Sequence, residues 1–104
     1  MTQTLNVRNH MGRRLKKYTM TITAAGGETS LRFANIIPGT AGVPAGAVVA
    51  HSVRGPQGSG TEFISSVYQN DYGAASPSTN GFDVWVQTTS ALAGDYTATC
   101  TVIA

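Results

Sequence analysis

A chain of 104 residues is one domain by length, long enough to bury roughly two-thirds of the surface its unfolded form exposes. Only 12% of residues are charged and the net charge is +2, while Gly, Ala, Ser and Thr are abundant. That balance is poor in helix formers and rich in strand and turn formers, and an apolar content of 41% argues against disorder.

Residues 3–8 alternate weakly around Leu5 and Val7 and read as a short first strand or an arm. Next comes the only charge asymmetry in the chain. Arg8, Arg13, Arg14, Lys16 and Lys17 are five of its seven basic residues, and the first acidic residue is Glu28. We therefore expect residues 1–17 to form a basic N-terminal arm and residues 18–104 a single β-domain. Tyr18, Met20 and Ile22 alternate with Thr19, Thr21 and Thr23, the pattern of a half-buried antiparallel strand. The turn at Ala25-Gly26-Gly27-Glu28 and the run with Leu31 and Phe33 inward and Arg32 outward make residues 18–34 an expected hairpin. The segment 36–46, with Pro38, Gly39, Gly42, Pro44 and Gly46, reads as a loop with apolar content. Residues 47–53 are more continuously apolar, which predicts a strand near a sheet centre.

After the flexible turn 55–60, residues 63–68 read as a strand, with Phe63, Ser65 and Val67 on one face and Ile64, Ser66 and Tyr68 on the other. Residues 69–81 form the longest polar loop, closed by the turn signal Asn80-Gly81. The two period-2 runs in residues 82–103, joined by a short Gly-containing link, predict a C-terminal hairpin. In it Trp85 lies opposite the Phe82, Val84, Val86 face, either in the core with the neighbouring valines facing a second layer or as an exposed interface anchor, and burial between subunits is favoured. Six or seven strands with no sustained helix give an all-β chain, an antiparallel β-sandwich or small barrel, immunoglobulin-like or jelly-roll-like.

No arrangement of residues announces a reaction. His10 and His51 sit in no nucleophile motif, and His51 shares a face with Val49 and Val53, where a packed or hydrogen-bonded ring is the plain reading. One cysteine and two distant histidines do not make a zinc site, and the five scattered carboxylates match no calcium loop, so no cofactor is expected. Cys100 alternates with Tyr96, Ala98 and Val102 as a buried small hydrophobe. The glycine-rich stretches lack the Lys and Ser/Thr of a phosphate loop and read as turns. The basic cluster reads as a solvated loop or as an arm docking on acidic protein; nucleic acid would call for aromatic platforms beside the charge, and only Tyr18 is close. No apolar run approaches the ~18 residues of a membrane helix, and the first residues lack the basic-then-apolar order of a secretory signal, so synthesis in the cytoplasm is expected.

The segment Gly94-Asp-Tyr96-Thr-Ala98-Thr-Cys100 resembles the late strand of immunoglobulin-like domains, Gly-x-Tyr-x-hydrophobic. That resemblance implies a tyrosine corner at Tyr96, its hydroxyl bonding back to backbone a few residues upstream. As a whole the chain resembles the small head-decoration or cement proteins of tailed bacteriophages. The traits it shares are a signal-less start, Gly/Thr/Ser-rich strands, few charges, a basic arm and no catalytic constellation. The resemblance implies a non-catalytic virion protein that binds the assembled capsid, with the major capsid or another virion protein as partner. A dimer or trimer is expected, with neither nucleic acid nor membrane as partner. The competing expectation is a tail, fibre or carbohydrate-binding module using loops 36–46 and 69–81, with Tyr68, Tyr72 and Trp85 as stacking surfaces.

Overall fold

The computed structural model describes residues 4–10 (as backbone), 15–56, 62–70 and 81–103. In chain order the strands are β1 (Thr4–His10), β2 (Leu15–Ala24), β3 (Ser30–Ile37), β4 (Val48–Arg54), β5 (Phe63–Gln69), β6 (Phe82–Thr88) and β7 (Gly94–Ile103). A single 3-10 turn, Gly39–Ala41, follows β3. Every pairing is antiparallel, in a four-stranded sheet ordered β1-β2-β7-β4 and a three-stranded sheet ordered β3-β6-β5. The chain is an all-β sandwich.

The inward rows follow from the period-2 pattern. Tyr18, Met20, Ile22 and Ala24 of β2 face Tyr96, Ala98, Cys100 and Val102 of β7, and Leu31 and Phe33 of β3 face Val84 and Val86 of β6; all are buried. Across the β2–β7 ladder large residues oppose small ones, Tyr18 with Cys100 and Met20 with Ala98. Such alternation of large and small lets facing side chains interdigitate. Burial pushes the Cys100 thiol up to about 12, so it is a packed, neutral group. His51 is likewise tied down, its Nε2 lying 3.0 Å from Ser65 Oγ between β4 and β5.

Neither expected hairpin forms. β2 and β3 lie in different sheets, and so do β6 and β7. The two links, residues 25–29 and 89–93, are corners that cross from one sheet to the other at the same end. They are bonded to each other: Gly27 N donates to Ala91 O at 2.7 Å, Ala91 N to Glu28 O at 2.8 Å, and Thr88 N to Thr29 O at 3.0 Å. Ala91 is buried there. The ribbon β2–β3 thus pairs along its length with the ribbon β6–β7, and β4 and β5 fold onto the far sides of β7 and β6. This wrapping is that of a jelly roll, short of the full eight strands. Alternation identifies a half-buried strand but carries no information about its partner, which is why a Gly-containing corner reads as a hairpin turn.

Two further expectations are corrected. β4 is an edge strand, its residues alternating exposed and half-buried. Its apolar run Val48-Val49-Ala50 reflects small size rather than burial on both faces. The loop expected from residue 36 begins at Pro38 instead, because β3 runs on through a bulge. Asn35 adopts φ 51°, the register with β6 shifts between Phe33 and Ile37, and Ile36 and Ile37 are both buried.

The corner expected from the Gly-x-Tyr segment is present. Tyr96 Oη donates to Leu92 O at 3.3 Å, and the ring meets Phe63 edge-on with centroids 6.1 Å apart. Even so, β7 lies between β2 and β4, so the local motif sits in jelly-roll wrapping.

Candidate interaction surface

The residues singled out in the sequence divide between two outer faces. On the four-stranded sheet, Arg8 stands in register with Lys17, and Lys16 with Asn9. Adjacent strand residues point to opposite faces, so the basic cluster is split. Lys17 is exposed on the outer row, while Lys16 is half-buried at the rim of the core beside Tyr18, Val43 and Val102. Thr4–His10 and Leu15–Lys17 are thus strand segments of this sheet. Arg13 and Arg14 lie outside the described residues, as does Tyr72. Threonines of β2 and β7 make up the middle of this outer face, and at its β4 edge the exposed Val48 stands in register with the exposed Ile103. Thr21 and Thr97 hydroxyls pair at 3.0 Å, and Thr23 donates to Asp95 at 2.6 Å.

The other outer face, on β3-β6-β5, brings Tyr68 and Trp85 together. Tyr68 is in register with Asp83, and Trp85 with Ser66, which makes Tyr68 and Trp85 diagonal neighbours on one face. Ile64 stands further along the same row of β5, opposite Gln87. Ile64 is 74% exposed and Tyr68 46%. Trp85 is half-buried on this outer face, not in the core; the Arg32 guanidinium lies over its ring, 5.5 Å from the centroid. Its indole Nε1 is shielded and without a hydrogen-bond partner among the described residues.

What holds the face is a polar clamp around Asp83, which is fully buried although it lies on the outward row. Arg32 Nε donates to its Oδ2 at 2.8 Å, while Asn35 N and Asn70 Nδ2 donate to its Oδ1 at 2.8 Å each. Asn70 Nδ2 also donates to Asn35 Oδ1 at 2.8 Å, and Asn70 N to Gly81 O at 2.8 Å. A Cβ at Gly81 would lie 2.6 Å from Ile37 O and 2.7 Å from Asn35 Oδ1, so only glycine lets the three strand ends close. The clamp fixes the bulge of β3, the end of β5 and the start of β6, and through Arg32 it orients Trp85. Sequence reasoning missed Arg32, Asn35, Asn70 and Asp83. The available signal was one acid and one base on outward rows of two strands, and it becomes legible only once β3 and β6 are known to pair.

Among the described residues no three His, Cys, Asp or Glu side chains are grouped to hold a metal ion, and no helix is long and apolar enough to cross a membrane. No family model matches the chain, and comparison with curated proteins and with solved structures returned no match.

Proposed function

We propose that this chain is a structural virion protein that binds the assembled phage capsid and stabilises it, docking through the outer face of β3-β6-β5. The observation that carries this reading is the exposed Ile64–Tyr68–Trp85 surface on a sheet whose ends are locked by the Asp83 clamp. A preorganised apolar surface loses little conformational freedom on docking, so more of its burial appears as affinity. Binding that favours the assembled shell over its dissociated subunits stabilises the assembly by mass action. Lys17, exposed on the opposite sheet, adds a positive charge that favours acidic shell residues.

The test is co-sedimentation with heads of the encoding phage that have been stripped of the chain. Wild type should pellet with the heads and raise their resistance to heat, and Ile64→Lys and Tyr68→Ser should lose binding. Heads that ignore the wild-type chain overturn the virion reading; substituted chains that bind normally overturn the choice of face. The adjacency of Tyr68 and Trp85 also supports a second reading, a carbohydrate-binding module of a tail or fibre. In that case a glycan array returns a saturable ligand whose binding is lost in Tyr68→Ala.

A further inference from the structure

Among the described residues β1 and β4 are the edges of one sheet, β3 and β5 of the other. An edge strand presents unpaired N–H and C=O groups that template another strand, and natural edges are blunted by charge, bulges or proline. β1 carries Arg8 and β4 ends on Arg54. β3 carries Arg32 and is bent by its bulge at Asn35. β5 has none of these devices. Its seven residues, Phe-Ile-Ser-Ser-Val-Tyr-Gln, include no charge, proline or glycine, and its register to β6 is unbroken from Phe63 to Gln69. Phe, Ile, Val and Tyr are the residues that favour pairing in a sheet.

We propose that β5 pairs antiparallel with β5 of a second copy about a twofold axis at Ser66, joining two three-stranded sheets into one of six strands. The strand is complementary to itself in this register. Ser66 meets Ser66, Ile64 meets Tyr68 of the second copy, and Ser65 meets Val67. Aliphatic–aromatic pairs of this kind stabilise cross-strand contacts, and no like charges are opposed anywhere along the strand. The hydrogen bonding is also consistent. In an antiparallel ladder alternate residues bond to one side, and inversion about Ser66 maps each alternate set onto itself, whichever set faces the open edge. The inward Phe63 and Val67, both only partly buried, gain cover from the second copy. On the outer face each Tyr68 acquires Ile64 of the second copy as a neighbour, so the two Tyr68–Trp85 patches become one continuous surface. The contact is isologous, the commonest closed form of homo-oligomer.

This pairing is measured on the chain alone, with no capsid or glycan present, so it stands or falls separately from the function proposed above. Opposed Cα atoms of an antiparallel pair lie about 4.5 or 5.5 Å apart, inside the range of about 4.4–6.8 Å that a disulfide spans. Ser66→Cys should therefore convert fully to a covalent dimer under mild oxidation, while Gln87→Cys, exposed on the inner strand β6, should remain monomeric; the buried Cys100 does not interfere. Light scattering should return a dimeric mass for wild type and a monomeric one for Ser66→Lys, in which two like charges would face each other at an exposed position that the fold tolerates. A wild-type chain that stays monomeric on concentration overturns the proposal. So does a dimer that survives Ser66→Lys, or one that fails to cross-link through Cys at position 66.

Discussion

Replacing Asp83 by alanine removes the acceptor on which, among the described residues, three donors converge, and the cost is set by how well each donor recovers. Arg32 Nε, Asn35 N and Asn70 Nδ2 each lie 2.8 Å from the carboxylate, which is itself fully buried. Removing one partner of a buried ion pair costs about 3–5 kcal/mol when the other charge stays dry. Here the Arg32 side chain is 33% exposed, so its guanidinium regains water, and Asn70 retains its bond to Asn35 Oδ1. The orphaned backbone N–H of Asn35 and the void left by the carboxylate remain, which brings the expected loss to about 2–3 kcal/mol. For a chain of this size that lowers Tm by roughly 10–20 °C. Urea unfolding should show a lower midpoint at unchanged slope, since the surface exposed on unfolding hardly alters. Trp85 emission should shift as well, because Arg32 loses the carboxylate that holds it over the indole. Asp83→Asn, which keeps the volume and one acceptor, should be milder in both readouts. A loss below about 0.5 kcal/mol, the range of ordinary surface substitutions, would show that water replaces the carboxylate and that the clamp does not set the sheet.

Three other perturbations test the corners and the core. Gly55→Ala would drive a methyl into the ring of Tyr96, which is pinned by its bond to Leu92 and its contact with Phe63. Overpacking of this kind should cost about 1–3 kcal/mol by urea unfolding, and a neutral result would show that the Tyr96 ring is free to move. Glu28 is held below its ordinary value of 4.5 by the backbone N–H of Ala25, with help from its own N–H and that of Gly26. The stability it adds is fully present above 4.5 and fades as pH falls through the lower folded value. Wild type should therefore exceed Glu28→Gln at neutral pH and converge with it in acid. Cys100 works in the opposite sense: burial raises it from 9.0 to about 12, so the unfolded thiol ionises first and stability declines as pH climbs through that window. Cys100→Ala should flatten the alkaline decline, leaving a smaller slope from Tyr18, whose hydroxyl burial also raises.

What could be read along the chain was the facing of each strand. Tyr18, Met20 and Ile22, like Tyr96, Ala98 and Cys100, are buried where their alternation with threonine put them. Strand partners were not legible, because pairing is decided by contacts far apart in sequence. The link 89–93 has the composition of a hairpin turn, and what makes it a corner is Ala91 exchanging hydrogen bonds with Gly27 and Glu28. The clamp was hidden for the same reason, since Arg32 and Asp83 are 51 residues apart and meet only because β3 pairs with β6. The basic cluster was legible as charge but not as geometry. A strand through Lys16 and Lys17 sends the two to opposite faces, so a run that looks concentrated in sequence is halved in space.

The contrast between the two outer faces bears most directly on where a partner would sit. On β2 and β7 two outward pairs satisfy one another, Thr21 with Thr97 and Thr23 with Asp95, and the exposed apolar pair of this face, Val48 beside Ile103, is confined to its β4 edge. A face of paired hydroxyls gains little from leaving water, because each bond it would make to a partner replaces one it already has. On β6 and β5 the outward row runs from the clamped Asp83 and Trp85 to Tyr68 and Ile64, and there apolar surface stays in contact with water. Burying the exposed part of Ile64 and Tyr68 is favourable by about 25 cal/mol per Å² of apolar area. The clamp means that no strand end has to be ordered first. The same row continues across the uncharged edge of β5, so the surface that offers most to a foreign partner is also the one a second copy would extend.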